Sequence, residues 1–139
     1  MKSAYLLDTD WVIDFLNGRQ ETVEKIRELK GYGLALSLVS LAELYEGVYY
    51  SREPEESERK LEDFLSGVEI VALEDGICQT FGRERGRLRK ERILIGDFDL
   101  LIGATCLYHN LTLLTNNTRH FERIHNLRIV SLPKKKKTS

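Results

Sequence analysis

Five short apolar runs punctuate this chain, with helical patterns filling the gaps, and that alternation restricts the fold more than any other feature. The runs are AYLLD (4–8), LALS (34–37), VEIVAL (68–73), LTLLT (111–115) and LRIVSL (127–132). After the first run, DWVIDFLNG puts Trp11, Val12, Phe15 and Leu16 on one helical stripe, with Gly18 as a C-terminal stop. Residues 20–31 space Val23, Ile26 and Leu29 three apart, again as a helix. SLAELYEGVYY (40–50) reads as a helix opened by a capping box, Ser40 to Glu43, with a stripe of Leu41, Leu44, Tyr45 and Val48. Pro54 starts a charged helix over 55–65. A polar helix is predicted over 75–91, an apolar one behind GDFDLLIGATC (96–106), and a helical turn around 118–124. Strands that alternate with helices pair in parallel, and a parallel sheet needs cover on both faces. The expected class is therefore α/β, with a central parallel sheet of about five strands and helices on both sides.

Composition narrows the function classes. A chain of 139 residues with 42% apolar and 31% charged residues is one ordinary folded domain, which excludes wholesale disorder. We expect the domain over 1–132 and a disordered basic tail over 133–139, PKKKKTS. A net charge of −1 gives no whole-molecule attraction to nucleic acid, so any such affinity has to come from local patches. Cys78 and Cys106 form no C-x-x-C pair and are expected to be reduced, mostly buried thiols. MKSAYLLDTD meets an acid too early for a signal peptide, and no run approaches the ~20 apolar residues of a membrane span. The expectation is a soluble cytoplasmic protein with no membrane partner.

In parallel sheets, ligands bind beyond the carboxyl ends of the strands. Asp8 closes the first run, and Thr115 with Asn116 and Asn117 closes the fourth. Asp97 and Asp99 open the helix behind GDFDLLIGATC. Each acid has a local role available: Asp8, Asp97 and Asp99 can all serve a helix N-terminus. Glu43 has its capping box, and its helix turns the apolar stripe away from it, so periodicity alone leaves it facing solvent. Taken as a set, these carboxylates would repel one another unless a cation stood between them. Hard oxygen donors without His or Cys suit Mg²⁺ or Mn²⁺ rather than zinc.

Three stretches, YLLDTDWVIDFL, LVSLAELYEGV and LIGDFDLLIGATCLYHNLTLLTNNTRHFERIHNLRIVSL, resemble the sequence blocks of the PIN-domain family in order and separation. The closest likeness is to its VapC branch, the ribonuclease toxins of toxin–antitoxin pairs. The resemblance implies a Rossmann-like fold and a Mg²⁺- or Mn²⁺-dependent endoribonuclease. It implies Asp8, Glu43 and Asp99 as metal ligands and catalytic residues, with Asp97 as an auxiliary ligand. Thr115 and Asn117 match a polar cluster where the wider family often has a fourth acid. No acid stands at 116, 117 or 120 here, which favours one strong metal site, with Asn117 orienting water or a ligand. His120 falls where some relatives place an acid and is read as structural or solvent-facing. Gly103 and Ala104 should let their helix pack closely on the sheet and hold Asp99 rigid. The resemblance further implies a homodimer and a VapB-like antitoxin whose C-terminal segment approaches the metal site. Tyr49 and Tyr50 are candidates for meeting a partner.

RERGRLRKER (83–92) holds six basic side chains against two acids. It is either a solvated helix laced with ion pairs or an RNA-backbone contact, with Arg83, Arg85, Arg87, Arg89 and Thr115 as the candidate contacts. Two alternatives stand beside the ribonuclease. LLDTD also resembles the start of haloacid-dehalogenase-type phosphatases, with Asp8 as nucleophile and Asp10 as acid, although LTLLTNN lacks the acids those enzymes need later. A non-catalytic PIN-like module that grips RNA or protein is favoured by the missing fourth acid and opposed by the presence of Asp8, Glu43 and Asp99.

Overall fold

The computed structural model describes residues 2–133, so the lysine run at 134–137 lies outside the described residues. Strands β1 (Tyr5–Leu7), β2 (Leu34–Ser37), β3 (Val68–Val71), β4 (Thr112–Leu114) and β5 (Ile129–Val130) form one sheet in the order β3-β2-β1-β4-β5. Every pairing in it is parallel. The helices are α1 (Thr9–Leu16), α2 (Gln20–Leu29), α3 (Leu38–Tyr49), α4 (Pro54–Leu65), α5 (Asp75–Lys90), α6 (Asp97–His109) and α7 (Thr118–Phe121).

Alternation along the strands sorts the core into two layers. Leu7, Leu34, Leu36 and Leu114 pack on Trp11 and Val12 of α1, Ile26 of α2, Leu44 and Val48 of α3 and Leu61 of α4. Leu6, Ala35 and Leu113 face the other way, onto Ile77 and Leu88 of α5, Leu100, Ile102 and Ala104 of α6, and Phe121. Leu6, Leu7, Trp11, Leu100, Leu113 and Leu114 are fully buried, and each such side chain contributes roughly 1.5–3 kcal/mol over its exposed state.

The topology also makes the crevice. From β1 the chain builds β2 and β3 on one side, then returns to build β4 and β5 on the other. That reversal leaves a gap above the carboxyl ends of β1 and β4. Leu7 is in register with Leu36 and with Leu114, so Asp8 and Thr115 leave the sheet side by side.

Several local expectations are corrected. Helix α3 begins at Leu38, and its cap is Ser37, whose hydroxyl accepts from the Val39 N–H at 3.1 Å. The Ser40–Glu43 capping box does not form. Strand β2 runs straight into α3, so the last strand residue takes the capping place, and Ser40 lies inside the helix with a buried hydroxyl that has no partner. Gly103 serves a different neighbour than expected: a Cβ there would come within 2.5 Å of Ile124 Cδ1, so its space admits Ile124, while Ala104 lies in the sheet-facing core. Strand β5 pairs over only two residues of the predicted run. Both cysteines are free, but Cys78 is exposed rather than buried. Among the described residues, no helix is long and apolar enough to cross a membrane.

Candidate active site

Asp8 is the best-supported group in the crevice. It caps α1, its Oδ1 accepting from the Thr9 N–H at 2.9 Å, while Oδ2 accepts from the Thr115 hydroxyl at 2.7 Å. Its own N–H donates to the Leu114 carbonyl at 2.9 Å, which fixes its backbone to β4. Thr115 is in turn held by the Asn117 N–H, which donates to its hydroxyl oxygen at 3.0 Å. Only 7% of Asp8 is exposed. Burial, then the neighbouring Asp10 charge, outweigh these hydrogen bonds and push its carboxyl up from 3.8 to about 7, with Asp99 adding a smaller push.

A second, half-buried acid escaped the sequence reading as a member of this site. Asp10 sits in the first turn of α1, its Oδ2 accepting from the Asn116 N–H at 3.0 Å, and its other oxygen is buried without a partner. Burial raises its pKa, and Asp14 and Asp99 add to the shift. The signal was available: Asp8 and Asp10 are two apart at a strand-to-helix junction, where the chain turns tightly enough to keep both near the strand end. Asn116 ties the same corner together, its Oδ1 accepting from Trp11 Nε1 at 3.0 Å and from the Leu132 N–H at 2.9 Å.

Glu43 reaches this corner from α3. It is half-buried, and its Oε1 accepts from the Thr9 hydroxyl at 3.1 Å. With the capping box gone, that hydroxyl is the partner that aims it. Thr9 also supplies the N–H to Asp8, so one residue orients two carboxylates, a role no sequence period encodes. Asp99, in the first turn of α6, is near enough to raise both Asp8 and Asp10. His120 stands beside it, Nδ1 lying 3.4 Å from Asp99 Oδ2. This exposed histidine therefore belongs to the rim of the crevice and is not an unrelated surface group.

Other sequence candidates fall elsewhere. The side chain of Asp97 is 80% exposed and is paired with Arg85 at 2.7 Å, turned to α5 and not to Asp8. Thr115 is fully buried with its hydroxyl on Asp8, so it stands behind the carboxylate and offers nothing to an RNA surface. Of the four candidate arginines, Arg87 is engaged by Glu84, Glu91 and the Arg123 carbonyl, and Arg85 by Asp97 and the Ile95 carbonyl. Arg83 and Arg89 are exposed. Asn117 contributes its backbone N–H to the Thr115 relay.

Three carboxylates repelling one another around a partly buried corner, one with an oxygen lacking any partner, make a site that a cation would relieve. Among the described residues, no three His, Cys, Asp or Glu side chains converge closely enough to hold an ion by themselves. An ion here would need water or substrate oxygens beside the carboxylates, as Mg²⁺ commonly has. The corner does not fit a dry tetrahedral zinc cage.

The PIN domain family model matches residues 5–127. Ribonuclease VapC2 of Rickettsia felis is 36% identical over 125 residues, spanning 88% of this chain and 93% of the relative. Ribonuclease VapC2 of Haemophilus influenzae is 35% identical, spanning 89% and 94%. The crystal structure of VapBC2 from Rickettsia felis bound to a DNA fragment from its promoter superposes with a TM-score of 0.88 at 32% identity, over 94% of this chain and 99% of the other. A PIN fold places no phosphatase constellation here, and the haloacid-dehalogenase-type alternative falls. The sheet order, the acids at its carboxyl edge and these likenesses agree: the chain belongs to the PIN-domain family, in its VapC branch.

Proposed function

We propose that this protein is an endoribonuclease, the toxin of a VapBC-type pair, and that it hydrolyses RNA phosphodiesters with the help of Mg²⁺ or Mn²⁺. The observation that carries the site assignment is Asp8: a buried carboxylate at the carboxyl end of the central strand, raised to about 7 by burial and by Asp10 and Asp99. The likeness to ribonucleases named VapC and to a VapBC complex supports the activity and a VapB-like antitoxin as partner. Homodimerisation and action in the cytoplasm complete the proposal.

Asp8, Asp99 and Glu43 would hold the ion, in part through waters. A bound divalent ion lowers the pKa of water and neutralises charge on the scissile phosphate. The chain's own residues do the rest. Thr115 and the Thr9 N–H keep Asp8 in one rotamer, and the Thr9 hydroxyl orients Glu43. Leu100, fully buried beside Asp99, pins the first turn of α6 against the sheet so that Asp99 returns to one position. Burial and the Asp10 charge hold the Asp8 carboxyl up at about 7, so a cation in the crevice would favour its ionised form. His120 stands where it can meet a phosphate oxygen or steady Asp99.

The test is cleavage of a labelled RNA by the purified chain. Activity should require Mg²⁺ or Mn²⁺, disappear with chelator, and be lost in Asp8→Asn and Asp99→Asn while Asp10→Asn retains cleavage. RNA binding without cleavage under any divalent ion would return the non-catalytic module instead.

A further inference from the structure

The sequence leaves the arginine stretch of α5 open between an ion-paired helix and an RNA contact, and Arg85 is built into the protein. Only 15% of its side chain is exposed. Its guanidinium stands over the Phe81 ring, 5.4 Å from the centroid. Nη1 donates to the Ile95 carbonyl at 2.9 Å, and Nη2 donates to Asp97 Oδ1 at 2.7 Å. Ile95 stands just before Gly96 in the α5–α6 connection, and Asp97 is the first residue of α6. A single planar fork therefore grips the connection and the helix start together.

That start needs outside help. Gly96 occupies the cap position of α6 and has no side chain with which to fix the helix start, so its placement falls to neighbouring groups. The connection before it carries Arg92 at a positive φ of 59° and an exposed Leu94, while Ile95 and Ile93 anchor it in the core beside α5, so the fork acts between an anchored connection and the helix start. Asp99 lies in the same first turn and points into the crevice charge, raising Asp8 and Asp10.

We propose that Arg85 is a positioning residue for catalysis: by clamping Ile95 and Asp97 it sets the first turn of α6 and thereby the place of the Asp99 carboxylate. This rests on Asp99 serving the proposed nuclease site. A loosened first turn would cost rate through misplacement, since errors near 1 Å in a reacting constellation cost on the order of 100-fold. Lysine keeps the charge but cannot reach two acceptors in one plane, so it does not replace the clamp.

The experiment compares wild type with Arg85→Lys, Arg85→Ala, Asp97→Asn and Asp99→Asn. Its readouts are kcat and KM on a labelled RNA over a salt series, Mn²⁺ affinity of the RNA-free protein, and melting temperature. The clamp predicts that kcat falls roughly ten- to a hundred-fold in Arg85→Lys and Arg85→Ala alike, with KM and its salt dependence near wild type. It also predicts weaker Mn²⁺ binding, and an Arg85→Ala/Asp97→Asn double variant no worse than the worse single. Rescue of full activity by Arg85→Lys, or a rise in KM with a shallower salt slope and unchanged kcat, would overturn it in favour of an RNA contact. A fall in kcat that merely follows the loss of melting temperature, with Mn²⁺ affinity intact, would overturn it in favour of bulk stability. Full activity in Asp99→Asn overturns the nuclease site itself; a dead Asp99→Asn beside a fully active Arg85→Lys overturns only the clamp.

Discussion

The two walls of the crevice are built on opposite principles. On the β1–β4 wall, a buried Asp8 and a half-buried Asp10 are wired to the sheet by Thr115, Thr9, Asn116 and the Leu114 carbonyl. On the α6 wall, Asp99 is partly exposed, beside an exposed His120 and in the same first helical turn as Asp97, which is held by an ion pair. The first wall gains rigidity and carries electrostatic strain, because burying like charges together disfavours their ionised forms. The second is cheap in desolvation but depends on packing of Leu100 and on a fork of hydrogen bonds for its precision.

Disabling either wall chemically should have the largest effect. Asp8→Asn is expected to reduce cleavage by at least ~10³-fold, and Asp99→Asn by a similar order, since each removes charge from the ion's surroundings. Stability then separates the walls. Asp8 titrates near 7 in the fold against an ordinary 3.8, so ionising it opposes folding. Its cost is absent below about pH 4, grows as pH rises toward 7, and levels off above. In metal-free protein, Asp8→Asn should therefore melt higher than wild type at pH 8, by a margin of at most ~4 kcal/mol that shrinks toward pH 5. Equal melting curves for wild type and Asp8→Asn across that range would remove the strain from the first wall.

Smaller changes sharpen the same contrast. Thr115→Val strips the buried hydroxyl that donates to Asp8 and accepts from Asn117, and should cost about 1–3 kcal/mol in urea unfolding, with reduced cleavage. Thr9→Val leaves the Asp8 cap N–H in place but frees Glu43, so activity should fall several-fold while stability changes by about 1 kcal/mol or less. Least of all, Arg83→Gln and Arg89→Gln on the exposed face of α5 should change stability by less than ~0.5 kcal/mol and raise KM for RNA about twofold.

The contrast between walls also explains what the sequence could reveal. The five strands were legible because short apolar runs between helical periods have few other uses. Asp8 and Asp99 were legible because each lies at an element boundary that a parallel sheet brings to one edge. Glu43 was harder: periodicity put it in solvent, and its actual orientation depends on Thr9, 34 residues away. The Ser40 cap failed because a strand that passes directly into a helix hands the cap to its own last residue, Ser37. For Arg85, Arg87 and Asp97 the sequence left two readings open, since a run of charges looks the same whether its partners are phosphates or neighbouring side chains, and the structure shows ion pairs at all three. Thr115 is the reverse case, a polar residue in a strand end that looks exposed and is fully buried. What sequence periodicity misses here is pairing between side chains on different elements.

Titration of Mn²⁺ into the metal-free protein, followed by calorimetry for wild type and Asp8→Asn at pH 7.5, tests the carboxylate corner most directly. Saturable binding in wild type that vanishes in Asp8→Asn, with protons released as Asp8 ionises, is the result expected. Binding of equal strength in both proteins, or RNA cleavage by a wild type that takes up no divalent ion, would contradict it.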